Sequence, residues 1–250
     1  MTKVIITGAN GKMGGVVKSV IAGRNDCEIV AGVDLFGKSE DFPVYKTISE
    51  VKENADVVID FSNPSLLDEL LDYGDKTNTA LIIATTGYDE EQKKKIEDAS
   101  KTNAIFFTYN MSIGINLLAN LAKKATEVLS NDFDIEIIEK HHNQKIDAPS
   151  GTALMLADAI CEVTPQPMKY EYDRHSKREK RTKNEIGLHS VRGGTIVGEH
   201  EIVFAGRDEI ITLSHSARSK EIFAVGAVNA AVFISGKSAG LYDMSQMISD

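Results

Sequence analysis

The amino-acid sequence predicts an α/β protein in two parts: a doubly wound parallel sheet, then an α+β region with an open mixed or antiparallel sheet. Short apolar segments alternate with helical patterns up to Asn110, as strands of a parallel sheet covered on both faces do. Beyond Asn110, a strand-like segment alternates apolar and acidic residues, which is typical of a sheet with one buried face. A length of 250 residues allows one large domain or two modest ones.

Strands and helices of the first part follow one another in a regular order. The predicted strands are residues 4–6, 28–34, 55–61, 80–84 and 104–107. Between Met13 and Ile21, apolar residues recur at intervals of three and four, which predicts a helix directly after the first strand. Asn63 followed by Pro64 predicts the start of another helix, and residues 89–100 form a charged one. This order indicates a parallel sheet with crossover helices.

The second part has longer elements. Its predicted helices are 115–129, 150–160 and 220–234, and its predicted strands are 133–139, 188–191, 199–204 and 210–214. Between Phe133 and Glu139 apolar residues alternate with acidic ones, which predicts a half-buried strand. Residues 164–184 are polar and dense in charge, and we expect a loop there.

Composition excludes several classes of protein. The chain contains 28 Lys and Arg against 37 Asp and Glu, and a net charge of −9 disfavours general binding to nucleic acid. Its apolar runs are shorter than the roughly 20 residues that span a bilayer, and the first residues lead directly into a strand rather than a signal peptide. Cys27 and Cys161 are too few for a disulfide framework. We therefore expect a cytoplasmic enzyme with free thiols and no membrane partner.

A glycine-rich loop lies between the first strand and its helix. Gly8, Gly11 and Gly14 are spaced GxxGxxG, where Rossmann-type domains place the glycines that bring backbone N–H groups to a pyrophosphate. Asp34 ends the second strand 20 residues after Gly14, where a carboxylate accepts hydrogen bonds from ribose hydroxyls. The pattern indicates dinucleotide binding. The alternative is a turn whose glycines serve only tight packing of strand and helix.

The densest group of chemically active side chains follows the predicted strand 133–139. His141 and His142 point to opposite faces of an extended segment, so we expect no metal site. Lys145 is suited to donate a proton or to hold an anion. After Pro149, the sequence Ser150-Gly151-Thr152 begins a helix whose N–H groups and hydroxyls suit a substrate carboxylate. For Ser150 and Thr152 simple helix capping is an equally good interpretation, and for the histidines the alternative is a buried structural pair.

These segments together resemble the 4-hydroxy-tetrahydrodipicolinate reductases, also called dihydrodipicolinate reductases, of the bacterial diaminopimelate route to lysine. The most specific match is the run from Glu139 through Thr152. Other matching segments are residues 8–14, 85–87, 110–116, 191–194, 198–200 and 235–244. The resemblance extends over nearly the whole chain.

The resemblance implies a domain organisation, an assembly and an activity. A dinucleotide-binding domain of residues 1–112 is completed by 219–250, and residues 113–218 form a substrate-binding domain that assembles a homotetramer. The reaction is NAD(P)H-dependent reduction of a cyclic imine dicarboxylate, with loss of water. By the same match, His141 and Lys145 take the catalytic positions. The substrate-binding positions fall on His142, Lys145, Ser150, Gly151 and Thr152.

The same match places the dinucleotide contacts on several segments. They fall on Gly8, Ala9, Asn10, Gly11, Lys12, Met13, Asp34, Ala84, Thr85, Thr86, Tyr109, Asn110, Met111 and Ser112. Leu35 follows the acid where several relatives carry an arginine for the 2′-phosphate of NADPH. Only flexible lysines, Lys12 and Lys38, are then available to compensate a phosphate beside Asp34. We therefore expect NADH to serve at least as well as NADPH.

Two other functions remain open at this point. An aspartate-type dehydrogenase of the same architecture also handles a dicarboxylate imine. A redox-sensing or nucleic-acid-binding protein has support only from residues 169–183, where seven basic and three acidic residues give a net charge of +4. In an enzyme, Arg174, Arg181 or Lys183 of this segment would attract the anionic substrate and cofactor. No nucleic-acid partner is expected.

Overall fold

The computed structural model describes residues 1–37, 41–129 and 132–249. The chain divides into two compact units. The first contains Met1–Ser112 and the segment that begins at Glu221, and the second is Ile113–Lys220. The chain returns to the first unit at Glu221, rather than at the predicted 219.

The first unit is built on a seven-stranded sheet in which every strand pair is parallel. Its strands are β1 (Thr2–Thr7), β2 (Cys27–Val33), β3 (Val44–Tyr45), β4 (Val57–Asp60), β5 (Ala80–Ile83), β6 (Ala104–Phe107) and β12 (Gly240–Tyr242). Its helices are α1 (Lys12–Ala22), α2 (Leu67–Thr77), α3 (Glu90–Ala99), α6 (Glu221–Ile234) and α7 (Met244–Ser249). Helices α1 and α6 pack against each other and the sheet, and α2 packs with α3 and β5. The predicted doubly wound parallel sheet is confirmed.

The strand order places a switch point beside β1. The order is β12-β6-β5-β4-β1-β2-β3, so the chain proceeds from β1 to β3 in one direction and from β4 to β6 in the other. The carboxyl ends of β1, β2 and β4 therefore border one crevice, where open α/β sheets bind their ligands. The central strands are apolar because both faces are covered, and Val4, Ile5 and Ile6 are fully buried.

The second unit is a five-stranded mixed sheet with two helices. Its strands are β7 (Asp134–His141), β8 (Lys169–Glu171), β9 (Glu185–Arg192), β10 (Gly198–Ala205) and β11 (Ile210–Ala217). Its helices are α4 (Ile113–Leu129) and α5 (Gly151–Cys161), which pack against each other. The strand order is β11-β10-β7-β9-β8, with β7, β8 and β9 parallel and the other pairs antiparallel. The prediction of an open mixed or antiparallel sheet is confirmed in its mixed form.

The residues of β7 alternate between the two faces of this sheet. Ile135, Ile137, Glu139 and His141 are buried, whereas the residues between them are half-buried. The buried face joins the core formed with α4 and α5. Because side chains alternate along a strand, Glu139 and His141 lie on the same buried face.

The shortest strands were not expected from the sequence. Strands β3, β8 and β12 have two or three residues each, too few to show a period, and they add to sheet edges. The helix predicted from Asn63-Pro64 opens as a 3-10 turn, Pro64–Leu66, before α2 begins. Within the part of the chain that the structure describes, no helix has the length and apolar character to cross a bilayer.

Candidate active site

The glycine loop follows β1 at the switch point of the first unit. Gly8 has a φ of +71°, and a Cβ there would lie 2.4 Å from the carbonyl oxygen of Phe61. A Cβ on Gly14 would lie 2.2 Å from the carbonyl oxygen of Gly8. Both glycines are therefore required for close packing, as the alternative interpretation of the loop proposed. Helix α1 nevertheless begins after Gly11 without a side-chain cap, so its first N–H groups suit an anion.

Asp34 is held at the end of β2 by backbone donors. The N–H of Asn10 donates to Oδ2 at 2.9 Å, and the N–H of Phe36 donates to Oδ1 at 3.0 Å. The Asn10 side chain in turn donates to the carbonyl of Phe36 at 2.7 Å. Each carboxylate oxygen accepts one of these bonds and retains capacity for another donor. The carboxylate is therefore fixed beside the glycine loop in a position suited to ribose hydroxyls.

Other loops at the carboxyl edge hold the remaining predicted cofactor residues. Thr85 is buried and its hydroxyl accepts from the N–H of Ser62 at 2.8 Å, while Thr86 is exposed and Ala84 is half-buried. Tyr109 is 70% exposed, whereas Met111 and Ser112 are buried. The side chain of Asn110 accepts from the N–H of Ser112 at 2.8 Å. Lys12 is exposed and Met13 half-buried at the start of α1, and Lys38 lies outside the described residues.

A cavity of about 300 Å³ opens within the first unit at this edge. Gly8, Asp34 and Phe36 line it, together with Asp60 at the end of β4. Asp60 is 2% exposed and accepts hydrogen bonds from the hydroxyls of Thr7 and Ser62. The sequence reasoning did not identify Asp60 as a site residue, although an acid that ends an apolar strand was the same signal that identified Asp34.

In the second unit a buried carboxylate organises the predicted catalytic segment. Glu139 is fully buried, and the guanidinium of Arg192 donates to both of its oxygens, from Nη1 at 2.7 Å and from Nη2 at 2.8 Å. His141 Nδ1 lies 2.7 Å from Oε2, and the N–H of Ser150 donates to Oε1 at 3.1 Å. Burial acts to raise the pKa of Glu139, but the bonds from Arg192 and His141 outweigh it and lower the pKa to about 2. Glu139 is therefore an anion that fixes three segments of the chain.

The Glu139 anion sets the orientation of the His141 ring. Because an ionised carboxylate only accepts, Nδ1 must be the donor in that pair, and Nε2 is the nitrogen that can exchange a proton. A Cβ on Gly198 would lie 3.1 Å from Nε2, so the glycine leaves space beside this atom. His141 is buried and His142 half-buried. Strand β7 ends at His141, so His142 is the first residue beyond the strand.

Lys145 lies in the turn between β7 and α5. Its Nζ forms an ion pair with Asp147 Oδ1 at 2.9 Å, and the lysine side chain is 23% exposed. Hydrogen bonding from Lys145 lowers the pKa of Asp147 below its ordinary range. Backbone bonds from Asn143 to the carbonyl of Gly194, and from Gly193 to that of His141, connect this turn to the residues after β9. The ammonium is thus held in place yet open to solvent.

Helix α5 begins beside Glu139, which accepts a hydrogen bond from the N–H of Ser150. The Ser150 hydroxyl accepts from the N–H of Ala153 at 3.1 Å, so Ser150 is a helix cap, and it also lies 3.0 Å from His200 Nε2. Gly151 is exposed and Thr152 is half-buried in the first turn. Burial, with a smaller contribution from His141, lowers the pKa of His200 to about 4 and keeps this histidine neutral near pH 7. That Ser150 also contacts substrate stays a prediction.

Comparison with known protein families assigns the chain to one family. The model described as "Dihydrodipicolinate reductase, N-terminus" matches residues 2–111, and "Dihydrodipicolinate reductase, C-terminus" matches residues 114–248. The chain belongs to the dihydrodipicolinate reductase family. The resemblance seen in the sequence is thereby confirmed.

Individual relatives agree with the family assignment. A 4-hydroxy-tetrahydrodipicolinate reductase of Caldanaerobacter subterraneus is 53% identical over 248 residues, which cover 99% of this chain and 98% of the relative. A dipicolinate-bound dihydrodipicolinate reductase from Paenisporosarcina is 27% identical with a TM-score of 0.82 over 97% of each chain. An aspartate dehydrogenase from Thermotoga maritima is only 12% identical with a TM-score of 0.53 over 95% of this chain and 98% of its own, which shows a common fold alone.

The basic segment 169–183 has a structural role in the second unit. Arg181 donates to carboxylates of Asp134 and Glu136 and to the carbonyl of Ile135, and its side chain is 16% exposed. Arg174 pairs with Glu185 at 2.7 Å. Lys183 contacts the carbonyl of Asp132 at 3.2 Å. These contacts place the three cations against acids and a carbonyl group of the same unit.

Two further residues of the site were missed by the sequence reasoning. Glu139 was seen only as part of the family segment, although an acid on the buried side of an alternating strand is itself a signal. Arg192 lies 53 residues further along the chain and reaches Glu139 because β9 pairs with β7, with Glu139 opposite Ser190 and His141 opposite Arg192. Nothing local to Arg192 indicates that pairing.

Proposed function

We propose that this chain reduces 4-hydroxy-tetrahydrodipicolinate to tetrahydrodipicolinate, with loss of water, in the diaminopimelate route to lysine. The observation that carries the proposal is the arrangement of His141 and Lys145 around the Glu139–Arg192 pair at the start of α5, in a member of this family. The arrangement combines proton donors with a helix N-terminus. This combination suits an imine that carries carboxylates.

Each group has a separate task in the proposed reaction. The backbone N–H groups at Gly151 and Thr152 bind one substrate carboxylate and orient the ring. Lys145 or His141 protonates the imine nitrogen, which makes the adjacent carbon more electrophilic and lowers the barrier. His142 is proposed to contact the substrate from the same turn. Glu139 contacts no reacting atom, and it acts by holding the His141 ring in one orientation.

The first unit fits a nicotinamide dinucleotide. The uncapped start of α1 is suited to the pyrophosphate, the fixed Asp34 carboxylate to the adenosine ribose, and Thr85, Thr86 and Asn110 lie on loops at the same edge. When bound, the reduced cofactor supplies the hydride. The protein supplies position and charge, and the cofactor is NADH, NADPH or both.

Side-by-side kinetics test both the activity and the cofactor preference. We expect turnover of enzymatically generated 4-hydroxy-tetrahydrodipicolinate and none of aspartate, with kcat/KM for NADH at least equal to that for NADPH. Lys12→Ala and Lys38→Ala test the two lysines that the sequence suggests: a lysine that contacts the 2′-phosphate should, when replaced, raise the KM for NADPH about fivefold more than that for NADH. Turnover of aspartate would overturn the proposed substrate, and about a tenfold advantage for NADPH would overturn the cofactor preference.

Replacing His141 by glutamine tests the proton-transfer role. Glutamine preserves polarity and approximate size but exchanges no proton. We expect a lower kcat in a folded protein, and a flatter dependence of kcat on pH, because glutamine does not change its charge. If kcat falls but its pH dependence matches the wild type, His141 is structural, as the alternative interpretation holds.

We also propose a homotetramer assembled through the second unit. Within that unit, α4 and α5 pack on one face of the sheet, while Val191 and Ile210, which point to the other face, are 45% and 67% exposed. Light scattering should give four times the mass of 27.3 kDa. A monomer at micromolar concentration would refute the assembly.

A further inference from the structure

Lys46 leaves the sheet beside Asp34. Strand β3 pairs in parallel with β2, with Val33 opposite Tyr45, and the N–H of Asp34 donates to the carbonyl of Tyr45 at 2.9 Å. The carboxyl ends of parallel strands lie at the same edge of a sheet. Asp34 and Lys46 are the residues that follow β2 and β3, so they lie side by side at that edge. Both line the cavity of about 300 Å³ in the first unit.

The charges around this cavity are unbalanced. Among the described residues that line it, the acids are Asp34, Asp60 and Glu69, and Lys46 is the single cation. The Lys46 side chain is exposed and forms no ion pair with any described residue, although its backbone N–H donates to Glu50 at 3.1 Å. Among the described residues that line this cavity, Lys46 is therefore a cation without an ion pair, and the other charged residues are acids.

We propose that Lys46 is the residue that allows this site to accept the 2′-phosphate of NADPH, an inference that rests on the proposed function. A 2′-phosphate replaces a ribose hydroxyl beside Asp34 and brings close to two negative charges toward that carboxylate. The repulsion must be offset by a cation for NADPH to bind well. NADH carries no such group, so it binds Asp34 directly and gains nothing from Lys46.

The position of Lys46 distinguishes it from the lysines that the sequence suggested. Lys12 is the first residue of α1 and does not line the cavity, and Lys38 lies outside the described residues. Lys46 follows a strand of only two residues, so local sequence patterns do not reveal its nearness to Asp34. That nearness depends on the parallel pairing of β3 with β2.

Nucleotide binding to the full-length protein tests the proposal without relying on turnover. Dissociation constants are measured by calorimetry for NADPH, NADH, adenosine 2′,5′-bisphosphate and AMP, with wild type, Lys46→Ala and Lys52→Ala. Lys52 is an exposed lysine six residues further on that does not line the cavity, so it controls for loss of one positive charge. We expect Lys46→Ala to raise the dissociation constants of NADPH and the bisphosphate about fivefold, and to change those of NADH and AMP less than about twofold. Lys52→Ala should change none of the four dissociation constants.

Other outcomes overturn the proposal. If Lys46→Ala leaves the ratio of NADPH to NADH affinity unchanged, or weakens all four nucleotides equally, Lys46 does not recognise the 2′-phosphate. An equal effect of Lys52→Ala would show general electrostatics instead. If the wild-type protein binds neither dinucleotide, the proposed function itself is refuted. If the wild type binds both and only the Lys46→Ala result fails, the role of Lys46 is refuted and the proposed function is not.

Discussion

Replacing Lys145 by alanine is expected to lower kcat about 100-fold or more. The ammonium pairs with Asp147 at 2.9 Å in the turn that precedes α5, and in the proposed reaction it donates a proton to the imine and attracts a substrate carboxylate. The affinity for the dinucleotide should hardly change, because Lys145 belongs to the second unit and the glycine loop to the first. Steady-state kinetics and cofactor titration of the same preparation measure both quantities.

Lys140→Ala is the matched control for Lys145→Ala. Lys140 lies five residues earlier and pairs with Glu199 at 3.1 Å, with both side chains about two-fifths exposed. Its loss removes the same charge from the same unit without touching the proposed site, and kcat should stay close to the wild-type value. If the Lys145→Ala variant retains kcat within about threefold of wild type, Lys145 has no part in proton transfer.

Replacing Arg192 by alanine is expected to lower the free energy of unfolding by about 3 kcal/mol, the lower end of the effect of breaking a buried ion pair. The lower end applies because the Arg192 side chain is 20% exposed, whereas that of Glu139 is 1% exposed. The variant leaves the Glu139 anion without its bidentate partner. Urea unfolding at pH 7 measures the loss, and Lys140→Ala, which breaks an exposed pair, should cost no more than about 1 kcal/mol.

The same variant should change how stability depends on pH. The pKa of Glu139 is about 2 in the folded protein against an ordinary 4.5, so its contribution to stability is present above pH 4.5 and is lost as the pH falls toward 2. Without Arg192, the folded pKa rises and this contribution to stability diminishes. Unfolding free energies measured from pH 6 to pH 3 should therefore fall less steeply for Arg192→Ala than for wild type. Equal slopes would mean that Arg192 does not stabilise the charge on Glu139.

Stability alone would not separate support of the fold from support of the site. Arg192→Lys keeps the charge but cannot form the two parallel hydrogen bonds of a guanidinium. If the Glu139–Arg192 pair positions His141, this variant should recover much of the stability while kcat and its pH dependence remain altered. Full recovery of kcat together with stability would show that charge alone is required.

Features that depend on nearby residues could be predicted from the sequence. The glycine loop, the acid at the end of β2 and the segment from His141 to Thr152 each lie within a short run, and the periods of strands and helices identified the two-part fold. Such signals work because backbone propensity, helix capping and side-chain alternation act over a few residues. The short strands β3, β8 and β12 were not predicted, because two or three residues are too few to show a periodic pattern.

Contacts between segments that are distant in the sequence could be identified only from the tertiary structure. Arg192 reaches Glu139 because β9 pairs with β7, Lys46 lies beside Asp34 because β3 pairs with β2, and the Ser150 hydroxyl contacts His200. The basic segment looked like an attractive surface, yet Arg181 neutralises Asp134 and Glu136. Strand order and register determine which distant charges meet, and burial makes their pairing obligatory, since an unpaired charge inside a protein is costly. The register between distant strands is not encoded in a short run of residues.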